Sequence, residues 1–374
     1  MNIELVVSRY KRMIGLARYA SELQKYLSKA GVSYSLVSPG LTPLLKAGHS
    51  VLSRFGYDVR EFFNTYPASI PCSEDSVKHF TSQMMASSYL FQPGLRKVVI
   101  TVHDIVPYLM RDDPMQNVYR HFYDRWFDSR AMQNIQRADR IIAISACTAG
   151  LLKENLSCRE DKIRVVLYGL DHELFRPKPV TPEFRARYGL DPRFRYLLYV
   201  GSENPRKNLP RLIKAFSKVR CQAPDVRLVK VGTPEYLTHY EFLKSQINSA
   251  GLDDDVVFIS HPPQEDLITL YSAADVFVFP SLYEGFGMPP LEAMACGAAV
   301  ICSNASSLPE VVGDAALKVD PYDVDAWAEA IISVLGNDRL RQELKTRGLA
   351  QAAQFTWEST VEKTLAVYRE VEAL

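Results

Sequence analysis

Apolar residues along this chain fall into short, predominantly apolar runs separated by stretches with helical spacing. Such runs occupy residues 3–7, 34–37, 97–102 and 140–144 in the first half, and 196–200, 226–231, 256–259, 276–279 and 299–302 in the second. A run of four to six predominantly apolar residues predicts a strand covered on both faces, as in a parallel sheet whose crossovers are helices. Between the runs, apolar positions recur every three or four residues, and residues 15–30 are the clearest predicted helix. The expected class is therefore α/β, with two doubly wound Rossmann-like domains facing across a cleft. Residues 171–182 are proline-rich and aperiodic, which places the boundary between a domain at 1–176 and one at 177–356. Leu41, Leu44, Leu45, Leu52, Phe55, Val59 and Phe62 fall on one helical face, with Lys46, Arg54 and Arg60 away from it. A helix packed on the domain core and one lying on a membrane surface share that pattern.

The length, 374 residues, fits two domains better than one core. Net charge is only +1, but the first sixty residues carry 9 basic side chains against 3 acidic. That bias admits peripheral contact with an anionic membrane or a phosphorylated substrate, and an unevenly charged solvated face reads the same; no nucleic-acid partner is expected. The six cysteines form no Cys-x-x-Cys pair and have no histidines at zinc-ligand spacing, so a reduced chain without a bound metal is expected. The first residues lack the apolar core of a cleavable signal and no run approaches eighteen apolar residues. The expected location is cytoplasmic, with room for a peripheral position at the inner face of the membrane.

The richest chemistry lies in Ser281-Leu-Tyr-Glu-Gly-Phe-Gly-Met-Pro-Pro-Leu-Glu-Ala-Met-Ala-Cys-Gly297, which puts Glu284 and Glu292 eight positions apart. A buried strand precedes it, Pro289 and Pro290 mark a helix start, and Gly297 sits where a C-terminal cap belongs. Free amides at a helix start and a glycine turn attract anions, here the diphosphate of an activated sugar, with Gly285 and Gly287 allowing close approach past Phe286. Glu292 can accept both hydroxyls of a ribose, and Glu284 can grip donor-sugar hydroxyls or stabilise charge at the anomeric carbon. A second strand ends in the turn Gly201-Ser-Glu-Asn-Pro-Arg-Lys-Asn208, which sets Arg206 and Lys207 before a helix. An arginine forks onto phosphate oxygens while a lysine supplies a point charge.

In the first half, His103 and Asp104 end a strand, and Gly15 and Ser145 stand at other strand ends, where open parallel sheets bind ligands. His103 is a candidate to bond a donor-sugar hydroxyl, and Asp104 to orient it or to meet the acceptor. Asp253-Asp-Asp255 fits a manganese-binding pattern but precedes a strand in a polar turn, and no phosphate-loop or serine-hydrolase signature appears.

These residues carry a resemblance to family 4 of the retaining glycosyltransferases, which have the two-domain GT-B fold. The resemblance is strongest over 200–321, through Gly201-Ser-Glu-Asn-Pro-Arg-Lys-Asn, Leu270-Tyr-Ser-Ala-Ala-Asp, the Glu284 to Glu292 motif and Ser303-Asn-Ala-Ser-Ser-Leu-Pro-Glu-Val. It implies that Arg206 and Lys207 hold the donor diphosphate, Glu292 the ribose, and Glu284 with the Gly287 and Met288 backbone the sugar, without a metal or other cofactor. It implies too that residues 357–374 cross back to the first domain, and that His103 and the Gly15 turn complete the site. The look is that of bacterial and archaeal mannosyltransferases of polysaccharide and glycolipid assembly, which makes GDP-mannose the favoured co-substrate and a glycan or lipid-linked hydroxyl the acceptor. The expected enzyme is a retaining hexosyltransferase. A catalytically silent nucleotide-sugar-binding partner protein and a GT-B sugar epimerase are the other readings. The first-domain turn Ile14-Gly-Leu-Ala-Arg18 has fewer glycines than is usual in the family.

Overall fold

The computed structural model describes residues 1–8, 14–39, 59–113, 119, 121–234 and 237–374. They form two compact units, Met1–Gly169 with Trp357–Leu374, and Leu170–Thr356.

In the first unit, strands β1 (Ile3–Val6), β2 (Ser35–Val37), β3 (Val77–Phe80), β4 (Val98–Val102), β5 (Arg140–Ala143) and β6 (Ile163–Val165) make one parallel sheet in the order β2-β1-β3-β4-β5-β6. The predicted helix at 15–30 is observed as Ile14–Lys29. The chain's last helix, Trp357–Glu372, buries Trp357, Val361, Val367 and Tyr368 against that helix and the sheet. Glu370 then binds both Arg140 of β5, at 2.6 Å, and Arg164 of β6, at 2.7 Å, which fixes the helix across the strands.

Residues 40–58 lie outside the described ones, and so does the apolar face from Leu41 to Phe55. Its last members belong to the helix Val59–Thr65, where Phe62 packs its ring on Tyr66, Tyr123 and Phe127 at centroid distances of 5.4, 5.6 and 4.9 Å. No helix among the described residues is long and apolar enough to cross a membrane.

The second unit holds β7 (Arg195–Val200), β8 (Val226–Val231), β9 (Val256–Ile259), β10 (Val276–Phe279), β11 (Val300–Ser303) and β12 (Ala316–Val319), again all parallel, in the order β12-β11-β10-β7-β8-β9. The change of unit falls at Leu170 rather than at residue 177. Leu170 bridges Thr356 and its amide donates to the Phe355 carbonyl at 3.0 Å, while Asp171 Oδ1 accepts from the amides of Glu173 and Leu174. The segment before the prolines is thus already folded onto the second unit.

Strand β3 carries Lys78 and His79, both fully buried, which is why its apolar signal is weak. Lys78 Nζ donates to the carbonyls of Glu74 and Ser76. His79 bonds Tyr368 Oη through Nδ1 at 2.5 Å and Thr101 Oγ1 through Nε2 at 2.7 Å. Burial, and then the neighbouring His103, lower His79 to about 3, and burial lowers His103 to about 4 against a backbone bond to Thr81 that raises it. An unfolded histidine takes up its proton near pH 6.5. Between that pH and about 4 these two histidines bind more protons in the unfolded chain, and their contribution to stability falls as pH falls. Each site contributes about 1.3 kcal/mol per pH unit near pH 5, so His79→Gln is expected to change the slope by about that much. Chemical denaturation of wild type and His79→Gln at pH 7, 6 and 5 checks this; an identical slope in the two proteins would refute it.

Candidate active site

The strand order of the second unit reverses between β10 and β7, and parallel sheets hold ligands at the carboxyl ends of the strands that flank such a reversal. Both sequence motifs stand there. After β7 the chain turns at Gly201, whose φ of 156° would bring an added Cβ within 2.7 Å of Tyr199 Oη. Asn204 caps the short turn Pro205–Lys207 by accepting from the Arg206 amide at 3.2 Å. Asn208, left-handed at φ 60°, then starts the helix Leu209–Gln222. Its buried side-chain amide donates to the carbonyls of Pro280, at 3.1 Å, and Pro321, at 2.7 Å, while the Leu282 amide donates to Arg206 O at 2.7 Å. The β7 and β10 exits are therefore built as one piece.

After β10, Glu284 is fixed through its backbone. Ser306 Oγ, on a residue at φ 58°, accepts from the Glu284 amide at 3.2 Å and lies 2.7 Å from its carbonyl. Ser307 Oγ sits 2.9 Å from the Glu284 carbonyl and 2.5 Å from that of Phe286. Gly287, at φ 122° and with Leu308 Cδ2 only 2.7 Å from where a Cβ would lie, caps the helix Met288–Ala295. That helix closes at Gly297, φ 79°, with the amides of Gly297 and Ala298 donating to Met294 O and Ala293 O, the paired cap in which a left-handed glycine turns the chain away. Phe286 packs edge-to-face on Phe355, so a donor contact there falls to its backbone. Glu292, buried in the helix, accepts from the Tyr271 hydroxyl at 2.9 Å.

The side chains converge. Lys207 Nζ donates to Glu284 Oε1 at 2.7 Å, and an Arg206 guanidinium nitrogen donates to Glu284 Oε2 at 3.0 Å and to the Tyr283 carbonyl at 2.9 Å. Lys207 also lies 4.8 Å from the centre of the Phe279 ring. Burial pushes the Glu284 carboxyl up, but Lys207 and Arg206 more than reverse this and bring it down to about 2. Glu284 is an anion at any working pH, and the two cations outweigh it by one charge in a cluster that suits a ligand with more than one negative charge.

The first-unit candidates are arranged differently. His103 Nε2 bonds the Thr81 carbonyl at 2.8 Å and therefore carries the proton, which leaves Nδ1 to accept from the Tyr168 hydroxyl. Both ring nitrogens are occupied, and a sugar hydroxyl on His103 would have to displace one of these partners. Asp104 is half-buried, with Oδ1 accepting from the Val106 amide at 3.2 Å. Ser145 is a helix cap: its buried Oγ accepts from the Thr148 amide and donates to Thr148 Oγ1, each at 3.0 Å. Gly15 is exposed, in ordinary helical backbone, with open space where a Cβ would stand.

Asn208, Ser306 and Ser307 went unassigned in the sequence, although Asn208 closes the Arg-Lys motif and both serines lie in the stretch after β11 that carries the resemblance. Among the described residues, no three His, Cys, Asp or Glu side chains come together as a metal site.

Residues 13–174 match the family model of Glycosyltransferase Family 4, and residues 180–351 that of Glycosyl transferases group 1. O-antigen chain mannosyltransferase B of Escherichia coli is 41% identical over 179 residues, 46% of this chain and 45% of that protein. Serotype-specific mannosyltransferase WbdA of Escherichia coli is 34% identical over 277 residues, 71% of this chain and 32% of that protein. The matched stretches thus span less than half the length of these curated relatives. Sucrose-phosphate synthase of Thermosynechococcus elongatus superposes with a TM-score of 0.75 over 100% of this chain and 99% of that one, at 21% identity, which speaks to the fold alone. The chain belongs to the family 4 glycosyltransferases, with the two halves of a GT-B fold.

Proposed function

We propose that this glycosyltransferase moves a hexosyl group, mannose first among the candidates, from a nucleoside-diphosphate sugar to a hydroxyl of a glycan or lipid-linked acceptor, with retention at the anomeric carbon. The observation that carries the reading is the convergence of Arg206 and Lys207 on Glu284 where the strand order reverses. The cations are assigned to the departing diphosphate, whose charge grows as the glycosidic bond breaks. Glu284 is assigned to the sugar, and Glu292, held by Tyr271, to the ribose. The departing phosphate accepts the acceptor's proton on the face it leaves. Asp104, in the first unit, is assigned to the acceptor hydroxyl. The two mannosyltransferase relatives favour mannose, and hence GDP-mannose, as the donor.

Calorimetric titration of GDP, UDP and ADP into wild type and Glu292→Ala tests this. One nucleotide, GDP first, is expected to bind, and the variant to bind it about tenfold more weakly, the size of one lost hydrogen bond to a charged group. Binding of none would overturn the reading. Equal affinity in the two proteins would remove Glu292 from the ribose.

A further inference from the structure

A buried ion pair stands near the candidate site. Lys230 stands in strand β8, whose other residues apart from Arg227 are apolar, and is 2% exposed; its ammonium donates to the Glu203 carboxylate, 1% exposed, and to the Gly232 carbonyl at 2.9 Å. Glu203 belongs to the β7 exit, between Gly201 and the turn that presents Arg206 and Lys207. The two strand exits are in backbone contact there. The Gly201 amide donates to Val231 O at 2.9 Å, and a Cβ on Gly232, φ 134°, would lie 2.5 Å from the Gly201 carbonyl oxygen. Tyr199 Oη adds a bond to the Ser202 carbonyl at 3.1 Å.

A fully buried ion pair is seldom worth more to stability than well-packed apolar side chains of the same volume, whereas losing one partner is costly. Its gain here is directional. The pair ties residues 201–204 to β8, and Asn204 is the cap from which the Arg206–Lys207 turn hangs. We propose that Glu203 and Lys230 are positioning residues for the diphosphate grip, clamping the β7 exit so that Arg206 and Lys207 face the leaving group together. This rests on the nucleoside-diphosphate reading above.

The test compares dissociation constants of GDP and GMP, with UDP and UMP as the parallel pair, by calorimetry on wild type, on Glu203→Gln and on the double variant Glu203→Met with Lys230→Met. The apolar double variant removes the clamp without stranding a charge, so it keeps the test intact if the single variant does not fold. Wild type is expected to prefer the diphosphate. In the variants that preference shrinks about tenfold while the monophosphate constant stays within about threefold, since misplacing a grip by an ångström costs that much or more. A purely structural pair would weaken both nucleotides together or lower the unfolding temperature alone. Variants that keep the full diphosphate preference overturn this inference and leave the donor reading standing. A wild type that binds none of the four nucleotides overturns both.

Discussion

Arg206→Ala is expected to lower donor turnover by about 10²- to 10³-fold, the cost of removing one preorganised donor from a site of developing negative charge, about 2–4 kcal/mol. The side chain is 27% exposed and already aimed: its guanidinium is held by the Tyr283 carbonyl and by Glu284, so little reorganisation is needed when a diphosphate arrives. Charge on the bridging oxygen rises as the sugar leaves, so the loss is expected mainly in kcat, with a smaller rise in KM from the ground-state phosphates. Arg206→Lys keeps the charge but loses the fork and should fall between the two. Lys207→Ala should cost as much in turnover and more in stability, because Lys207 is 10% exposed and is the nearer partner of a buried carboxylate. The measurement is release of nucleoside diphosphate from GDP-mannose under saturating and limiting donor, beside thermal unfolding. Near-normal turnover in Arg206→Ala would remove it from the diphosphate.

Why this pair of cations was legible before the fold, while their partner was not, follows from what each depends on. Residues 206 and 207 are adjacent, follow an apolar run and a glycine, and precede a helix, so local pattern places them. Their contact with Glu284 spans more than seventy positions and exists because β7 lies beside β10 in the sheet, a strand order that periodicity does not encode. The same distinction covers the strands. Those with predominantly apolar runs were read within a residue or two, whereas β3 was missed because Lys78 and His79 fill the middle of its four residues, their polar atoms satisfied by Ser76, Thr101 and Tyr368. Short edge strands β6 and β12 each carry a charged residue, Arg164 and Lys318, and gave no run to find. Ser145 shows the converse. A serine at a strand end suits a ligand and a helix cap equally, and here its Oγ caps the helix by accepting from the backbone amide three positions on.

Glu284→Gln is expected to separate binding from turnover in opposite directions. The carboxylate is the anion between Lys207 and Arg206, and its removal leaves two neighbouring positive charges, one almost fully buried, without it. Breaking a buried pair by losing one partner costs about 3 kcal/mol or more, so the variant should unfold at lower temperature. A bound diphosphate supplies the missing negative charge. The variant is therefore expected to bind GDP at least as tightly as wild type, and GDP should raise its unfolding temperature by more than it raises that of wild type. Turnover should nevertheless fall by about 10²-fold, since an amide carries no charge to offset the cation developing at the anomeric carbon. The pH dependence gives a second check. Held at about 2, the wild-type carboxylate contributes stability that is complete above the ordinary glutamate range and is lost only as pH falls toward 2. A rate profile between pH 5 and 8 should thus show no step that Glu284→Gln abolishes. Loss of GDP affinity in parallel with turnover would mean that Glu284 acts only by holding the two cations in place, and its assignment to the sugar would fall.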